Sequence, residues 1–176
     1  MSDKVRKYAC IMIKLPPKVS ASVHNVQKSI RPTDLYTEEA DGGLESDIHV
    51  TLIYGVFDAQ KALISAALSK LKPFALQIGH ITAFETSPEH DVLKFDIVES
   101  PMLHAIHNAI KAVYPNDQKY DEFKPHATIA YLTKGSAKKY AGVGNDVTGR
   151  VIMVKHIVWS DTTSQKTTIK LNDEQP

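Results

Sequence analysis

Strand and helix signals alternate along this chain in an order that predicts an α+β or α/β fold with mixed sheets. Three observations carry the prediction. Short apolar runs stop at Pro, Gly or Asp, as half-buried strands do. Between them lie segments whose apolar residues recur at helical spacing. Two of the strands, His49–Tyr54 and His126–Tyr131, repeat one local pattern in the two halves, without a strict sequence repeat elsewhere.

The elements follow in order. Residues 8–14 are an apolar strand, closed by Pro16-Pro17, which also suit the first turn of a helix. Val19, Val23, Val26 and Ile30 mark that helix. Residues 31–47, with Pro32, several acidic side chains and Gly42-Gly43, read as a long loop of the kind that is usually functional or mobile. Residues 48–54 form the next strand, stopped by Gly55. Asp58 is the expected N-cap of a helix to Lys72 with Ile64, Leu68 and Leu71 on one face. Residues 75–84 and 91–98 are predicted as an antiparallel pair around Ser87-Pro88-Glu89. Ser100-Pro101 supplies an N-cap and a Pro at the first helical position, and Leu103, Ile106, Ile110 and Val113 the apolar face. A strand at 126–132, a Gly- and Lys-containing connection at 135–148 and a last pair at 150–159 and 166–171 complete the order.

The chain has 176 residues, 43% hydrophobic and 23% charged, with a formal net charge of +1. At this length a core needs no staple. The charge balance announces neither a nucleic-acid binder nor a membrane binder, so an anionic ligand would need a local basic site. The lone Cys10 excludes an internal disulfide and reads as strand core. No stretch reaches the roughly 18 apolar residues of a membrane span, and a reducing, cytoplasmic setting is expected.

His-x-Thr on a strand puts an imidazole and a hydroxyl on one face, because side chains alternate. His49 and Thr51 point one way, Val50 and Leu52 the other; His126 and Thr128 stand likewise against Ala127 and Ile129. Two such strands facing one cleft suit phosphodiester chemistry without a metal or cofactor. One imidazole takes a proton, the other gives one, and the hydroxyls bond the phosphate oxygens. The bare tripeptide is weak evidence, since about half a match arises by chance, and His80-Ile-Thr82 also matches. The longer form, His-aliphatic-Thr-aliphatic-aliphatic-Tyr, is met only by His49–Tyr54 and His126–Tyr131, 77 residues apart.

With these paired motifs the chain resembles the two-histidine (2H) phosphoesterase superfamily. The resemblance extends over most of the chain, including the strand Leu76–Phe84, and by it His80 is not catalytic. It implies an α+β, bilobal fold: one domain over residues 1–176, two pseudo-symmetric lobes of antiparallel-rich sheet flanked by helices, each giving one motif to a central cleft. It also implies metal-independent cleavage of cyclic or 2′,5′-linked nucleotides. The segment Gly42–Gly55 looks most like phage members, which include the anti-CBASS phosphodiesterases that degrade cyclic oligonucleotide signals; such an enzyme would act in the host cytoplasm. Two other readings stand beside it: an RNA 2′,3′-cyclic phosphodiesterase or 2′,5′ RNA ligase-like enzyme acting on short RNA, and a nucleotide-binding module without turnover.

Further residues are candidates for substrate contact. Tyr8 and Lys14 share a face of the first strand, and Lys124 precedes Pro125-His126. Tyr54 and Tyr131 stand five residues beyond each His, so in a regular strand they would turn away, toward packing or the rim. Trp159 is either a stacking platform for a base or core. His80 and Thr82 are structural or cleft-lining. His104-x-x-His107 lacks the further ligands of a metal site and reads as an exposed helix face. The Lys134, Lys138 and Lys139 run reads as solvated surface.

Overall fold

The computed structural model describes residues 6–38, 43–117 and 122–173. Within them the strands are β1 (Ala9–Lys14), β2 (His49–Val56), β3 (Phe74–Phe84), β4 (His90–Ile97), β5 (His126–Thr133), β6 (Val151–Val154), β7 (His156–Ser160) and β8 (Lys166–Lys170). The helices are α1 (Pro17–Gln27), α2 (Lys61–Leu68) and α3 (Pro101–Val113). All strands join one antiparallel sheet in the order β6-β3-β4-β5-β2-β1-β7-β8. From the β5–β2 seam the order outward is β4-β3-β6 on one side and β1-β7-β8 on the other, which makes two pseudo-symmetric lobes. The architecture is the α+β, bilobal one expected. No helix among the described residues is long and apolar enough to cross a membrane.

Two of the helices cross the seam. Helix α1 follows β1 but packs under β5; helix α3 follows β4 but packs under β2. The main core lies between them and one face of the sheet, built from residues such as Ile11, Val50, Leu52, Phe95, Leu103, Ile129 and Trp159. α3 starts as its sequence dictates: the Ser100 hydroxyl accepts from the Leu103 N–H at 3.4 Å, with Pro101 behind it. The opposite face of the sheet is the cleft.

Three expectations need correction. Residues 150–159 form two strands, not one: β6 pairs with β3, whereas β7 pairs with β1 and β8, so the chain passes from one lobe to the other at Lys155. Exposure alternates from Val151 to Val154 and then breaks, with Lys155 and His156 both exposed. Asp58 does not cap α2. It opens a 3-10 turn (Asp58–Gln60), and its carboxylate accepts from the N–H and hydroxyl of Thr162, at 3.2 and 2.6 Å. The described parts of the loop 31–47 are tied along β5, residues 39–42 lying outside the described residues: the Tyr36 N–H donates to Tyr131 O, Tyr131 N–H to Gly43 O, and Glu45 N–H to Ile129 O, at 3.0, 2.8 and 3.0 Å. Within it Asp34 accepts from the Lys139 ammonium at 2.7 Å and the Tyr140 hydroxyl at 2.6 Å, which draws its pKa below the usual carboxylate value.

On the other lobe the segment after α3 plays the matching part. Asp117 N–H donates to Gly55 O at 2.9 Å, and Asn116 bridges to Val56. Gly55 has φ +104°, and a Cβ there would lie 3.0 Å from the Asp117 carbonyl carbon, so only glycine serves.

Candidate active site

Strands β2 and β5 meet at Val50 and Ala127. That single pair joins the middle residues of the two motifs, so His49 and Thr51 flank one partner and His126 and Thr128 the other. The two motifs thus meet at their centres, on antiparallel strands. Both His and both Thr are partly exposed, whereas Val50, Leu52, Ala127 and Ile129 between them are buried. That is the alternation the sequence predicts.

The imidazoles are held alike. Nδ1–H of His49 donates to the carbonyl of Asp47, and Nδ1–H of His126 to that of Lys124 at 2.7 Å. A carbonyl can only accept, so Nδ1 carries the proton and Nε2 is left to exchange one. Burial pushes both pKa values below that of a free histidine. At His49 the Glu45 carboxylate opposes this, and Lys14, Lys166 and Arg6 reinforce it. At His126 the Lys124 carbonyl and Asp96 oppose it, and Lys94 and His49 reinforce it.

Behind each motif lies a β-bulge. Opposite β1, the register steps from Ile53 to Thr51 and skips Leu52; opposite β4, it steps from Ala130 to Thr128 and skips Ile129. The extra residue sits three past the His in both strands and resets the alternation. Tyr54 and Tyr131 therefore return to the face of their His, contrary to the regular-strand expectation: Tyr54 is exposed and Tyr131 half-buried. Each bulge carbonyl is held by the helix that crosses from the other lobe. His107 of α3 has Nδ1 2.7 Å from Leu52 O, and Gln27 of α1 has Nε2 2.8 Å from Ile129 O. His107 is accordingly buried, stacked on Phe123 at 4.2 Å between centroids, and not on an exposed helix face; its neighbour His104 is 3.3 Å from Glu99.

The other candidates fall as follows. Lys14 is the register partner of His49 and is ion-paired, with Lys166 of β8, to Asp47. Tyr8 lies on the same face, edge-on to Tyr54 at 6.0 Å between ring centroids, but is itself 8% exposed. Lys124 is exposed, 2.9 Å from Glu122, and its backbone orients His126. Tyr131 lies edge-on to His90 at 5.7 Å. Trp159 is not at the cleft: it pairs with Ile11 on the core face and is 0% exposed, so it cannot stack on a base. Its neighbours Val158 and Ser160 pair with Met12 and Cys10 on the cleft face. Cys10 is buried there, and burial pushes its thiol up to about 11, too high for a thiolate at neutral pH.

Sequence reasoning missed Lys94. It is the register partner of Thr128, 5% exposed, with Nζ donating to Thr82 Oγ1 at 2.7 Å, paired to Asp96 and 4.2 Å from the centre of the Phe84 ring. Phe84 in turn meets His126 edge-on at 4.9 Å. The signal was present: Lys94 interrupts the apolar strand Val92–Ile97 two residues before Asp96. Thr82 is thus cleft-lining through Lys94, and His80 is exposed at the β3 register shift. Among the described residues, no cluster of three or more His, Cys, Asp or Glu could hold a metal ion.

Two His-x-Thr strands thus meet at the seam of a bilobal antiparallel sheet. The model of the 2′-5′ RNA ligase superfamily matches residues 15–141. Among solved structures, TT0787 of Thermus thermophilus is similar over 96% of this chain and 100% of its own, at TM-score 0.61 and 17% identity. Usb1 of Kluyveromyces marxianus is similar over 95% and 99%, at 0.61 and 11%. E. coli LigT complexed with 3′-AMP is similar over 93% and 94%, at 0.64 and 16%. No curated protein matches at the level of sequence. The chain belongs to the 2′-5′ RNA ligase superfamily. It is an enzyme of the two-histidine phosphoesterase type, with phosphodiesterase or RNA-ligase-like activity.

Proposed function

We propose that the chain hydrolyses phosphodiester bonds of small nucleotides, cyclic oligonucleotides foremost, using His49 and His126 as the proton-transfer pair and Thr51 and Thr128 as donors to the phosphate. The observation that carries this reading is the matched anchoring of the two imidazoles. With each Nδ1 proton committed to a carbonyl two residues earlier, two Nε2 atoms serve one phosphate across the Val50–Ala127 pair. The neutral imidazole takes the proton of the attacking hydroxyl, from water or a ribose 2′-OH, as its oxygen bonds to phosphorus. The protonated imidazole gives its proton to the leaving oxygen as that P–O bond breaks. Thr51 and Thr128 hydroxyls donate to the non-bridging oxygens as charge builds there. Both proton transfers come from side chains, so the reaction needs no metal or cofactor.

The cyclic-oligonucleotide substrate class is supported by the likeness of Gly42–Gly55 to phage members and by the net charge of +1, which does not favour a long basic groove for RNA. A second reading, action on RNA ends, is favoured by the family model and by nucleotide-bearing neighbours, LigT with 3′-AMP and Usb1 with uridine monophosphate. The test is incubation in EDTA with cyclic di- and trinucleotides, cyclic mononucleotides, 2′,3′-cyclic-phosphate RNA ends and 2′,5′-oligoadenylate, with the His49→Ala/His126→Ala variant as control. Cleavage of cyclic oligonucleotides by wild type alone upholds the first reading. Reaction of RNA ends alone replaces it with the second, and a requirement for metal overturns the mechanism.

A further inference from the structure

The buried stripe of α3 is Leu103, Ile106, His107 and Ile110. An aliphatic side chain at 107 would fill its place without the cost of burying an imidazole. The ring instead makes two specific contacts. Nδ1–H donates to Leu52 O at 2.7 Å, and the ring lies flat on Phe123, with 4.2 Å between centroids and 5° between planes. Burial pushes its pKa below that of a free histidine, so at neutral pH the ring is uncharged and Nδ1 is its donor. The two contacts lead to different motifs. Leu52 is the bulge residue of β2 and directly follows Thr51. Phe123 directly precedes Lys124, whose carbonyl accepts from Nδ1–H of His126 at 2.7 Å. One ring therefore joins the strand of the first motif to the anchor of the second.

The other lobe makes the same connection in reverse. Gln27 of α1 donates from Nε2 to Ile129 O, the bulge carbonyl of β5, at 2.8 Å, and to Glu45 O at 2.7 Å. The Glu45 carboxylate accepts from the Asp47 N–H at 2.9 Å, and the Asp47 carbonyl accepts from Nδ1–H of His49. One amide therefore joins the strand of the second motif to the anchor of the first. A stacked ring on one helix and an amide on the other arrive at one arrangement, so the connection recurs where the residue type does not.

We propose that His107 and Gln27 are a crossed pair of positioning residues, each tying the bulge behind one His-x-Thr motif to the segment that anchors the imidazole of the other. The two rings then keep one mutual placement, and in such chemistry a misplacement of about 1 Å costs on the order of 10²-fold in rate. The proposal rests on the roles given to His49 and His126, but its test reads the rings themselves and needs no turnover.

Nitrogen-15 spectra at neutral pH report the ratio of Nδ1–H to Nε2–H tautomers in each ring, and amide spectra report Ile53, which shares a peptide group with Leu52 O. His107→Asn keeps a donor at the Nδ1 position and removes the stack. It is expected to change the tautomer ratio of His126 about fivefold, the worth of one hydrogen bond, while the Ile53 amide holds its wild-type position. His107→Phe keeps the stack and removes the donor, so the Ile53 amide moves and His126 does not. Gln27→Leu is expected to change the tautomer ratio of His49 by a similar factor, although α1 packs under the strand of His126. Thermal melts confirm that the variants fold, and Phe123→Leu, at a half-buried position, repeats the loss of the stack should His107→Asn not fold. An unchanged His126 once the stack is removed, an unchanged His49 in Gln27→Leu, or equal changes of both rings in every variant would overturn the proposal. The crossed response in a protein that cleaves no phosphodiester would instead sink the proposed activity and leave the two tethers standing.

Discussion

Gln27 lies on α1, far from both motifs in sequence, yet the geometry makes it a keystone of the β5 half of the site. It is 5% exposed, and its Nε2 donates to Glu45 O at 2.7 Å and Ile129 O at 2.8 Å. Its Oε1 accepts from His24 Nδ1–H at 2.7 Å. Gln27→Leu keeps the volume and removes all three bonds. A buried carbonyl stripped of its donor costs about 1–3 kcal/mol. Glu45 O bears that cost, while Ile129 O keeps the Glu45 N–H at 3.0 Å and loses less. The expected total is about 2–3 kcal/mol, which for a chain of this length lowers Tm by roughly 5–10 °C. The same change frees the bulge that turns Tyr131 toward the cleft, so kcat/KM should fall with it. Differential scanning fluorimetry and denaturant titration read the stability, and His24→Ala, which removes only the bond nearer solvent, should cost under about 1 kcal/mol. A Tm for Gln27→Leu within about 1 °C of wild type would refute the claim that this side chain holds the bulge.

The remaining expectations concern the chemistry. His49→Ala and His126→Ala should each lower kcat by roughly 10²-fold or more with little change in the melting curve; a loss under tenfold in either would remove that residue from the proton-transfer pair. The pH dependence of kcat/KM follows from the sign of the shifts. Activity needs one imidazole neutral and the other protonated, and burial pushes both below the free value of about 6.5, so the singly protonated form thins as pH rises past it. The profile should be bell-shaped with its maximum on the acid side of 6.5, and a maximum above pH 7.5 would contradict the assignment. Lys94→Met removes a cation that depresses His126 and leaves Asp96 without its ion pair, so the profile should move to higher pH; an unmoved profile would show that Lys94 has no electrostatic part. Trp159→Phe should lower Tm through the vacated core volume while kcat/KM stays within about twofold; a selective rise in KM for nucleotide would place Trp159 back at the cleft.

What the sequence by itself determined is what a local period can carry. The strands at 49 and 126 are legible because His-x-Thr between buried aliphatics has period two. Helix α3 is legible because Ser100, Pro101 and the Leu103–Ile106–Ile110 stripe each act within one or two turns. The pairing of the two motifs was legible through their shared longer pattern. Tertiary structure decided the rest. The bulges at Leu52 and Ile129 need a partner strand to bulge against and a helix side chain to hold the carbonyl, and those partners stand 55 and 102 residues away. No local alternation rule could therefore tell that Tyr54 and Tyr131 turn back to the cleft. Trp159 went to the core because Lys155 breaks the strand before it and β7 takes its register from β1. Lys94 became part of the site because Thr82, Asp96 and Phe84 close around its ammonium from neighbouring positions of the sheet. A side chain's type is written in the sequence, but the hydrogen-bond and charge partners that set its direction and its pKa are supplied by chain segments that only folding brings together.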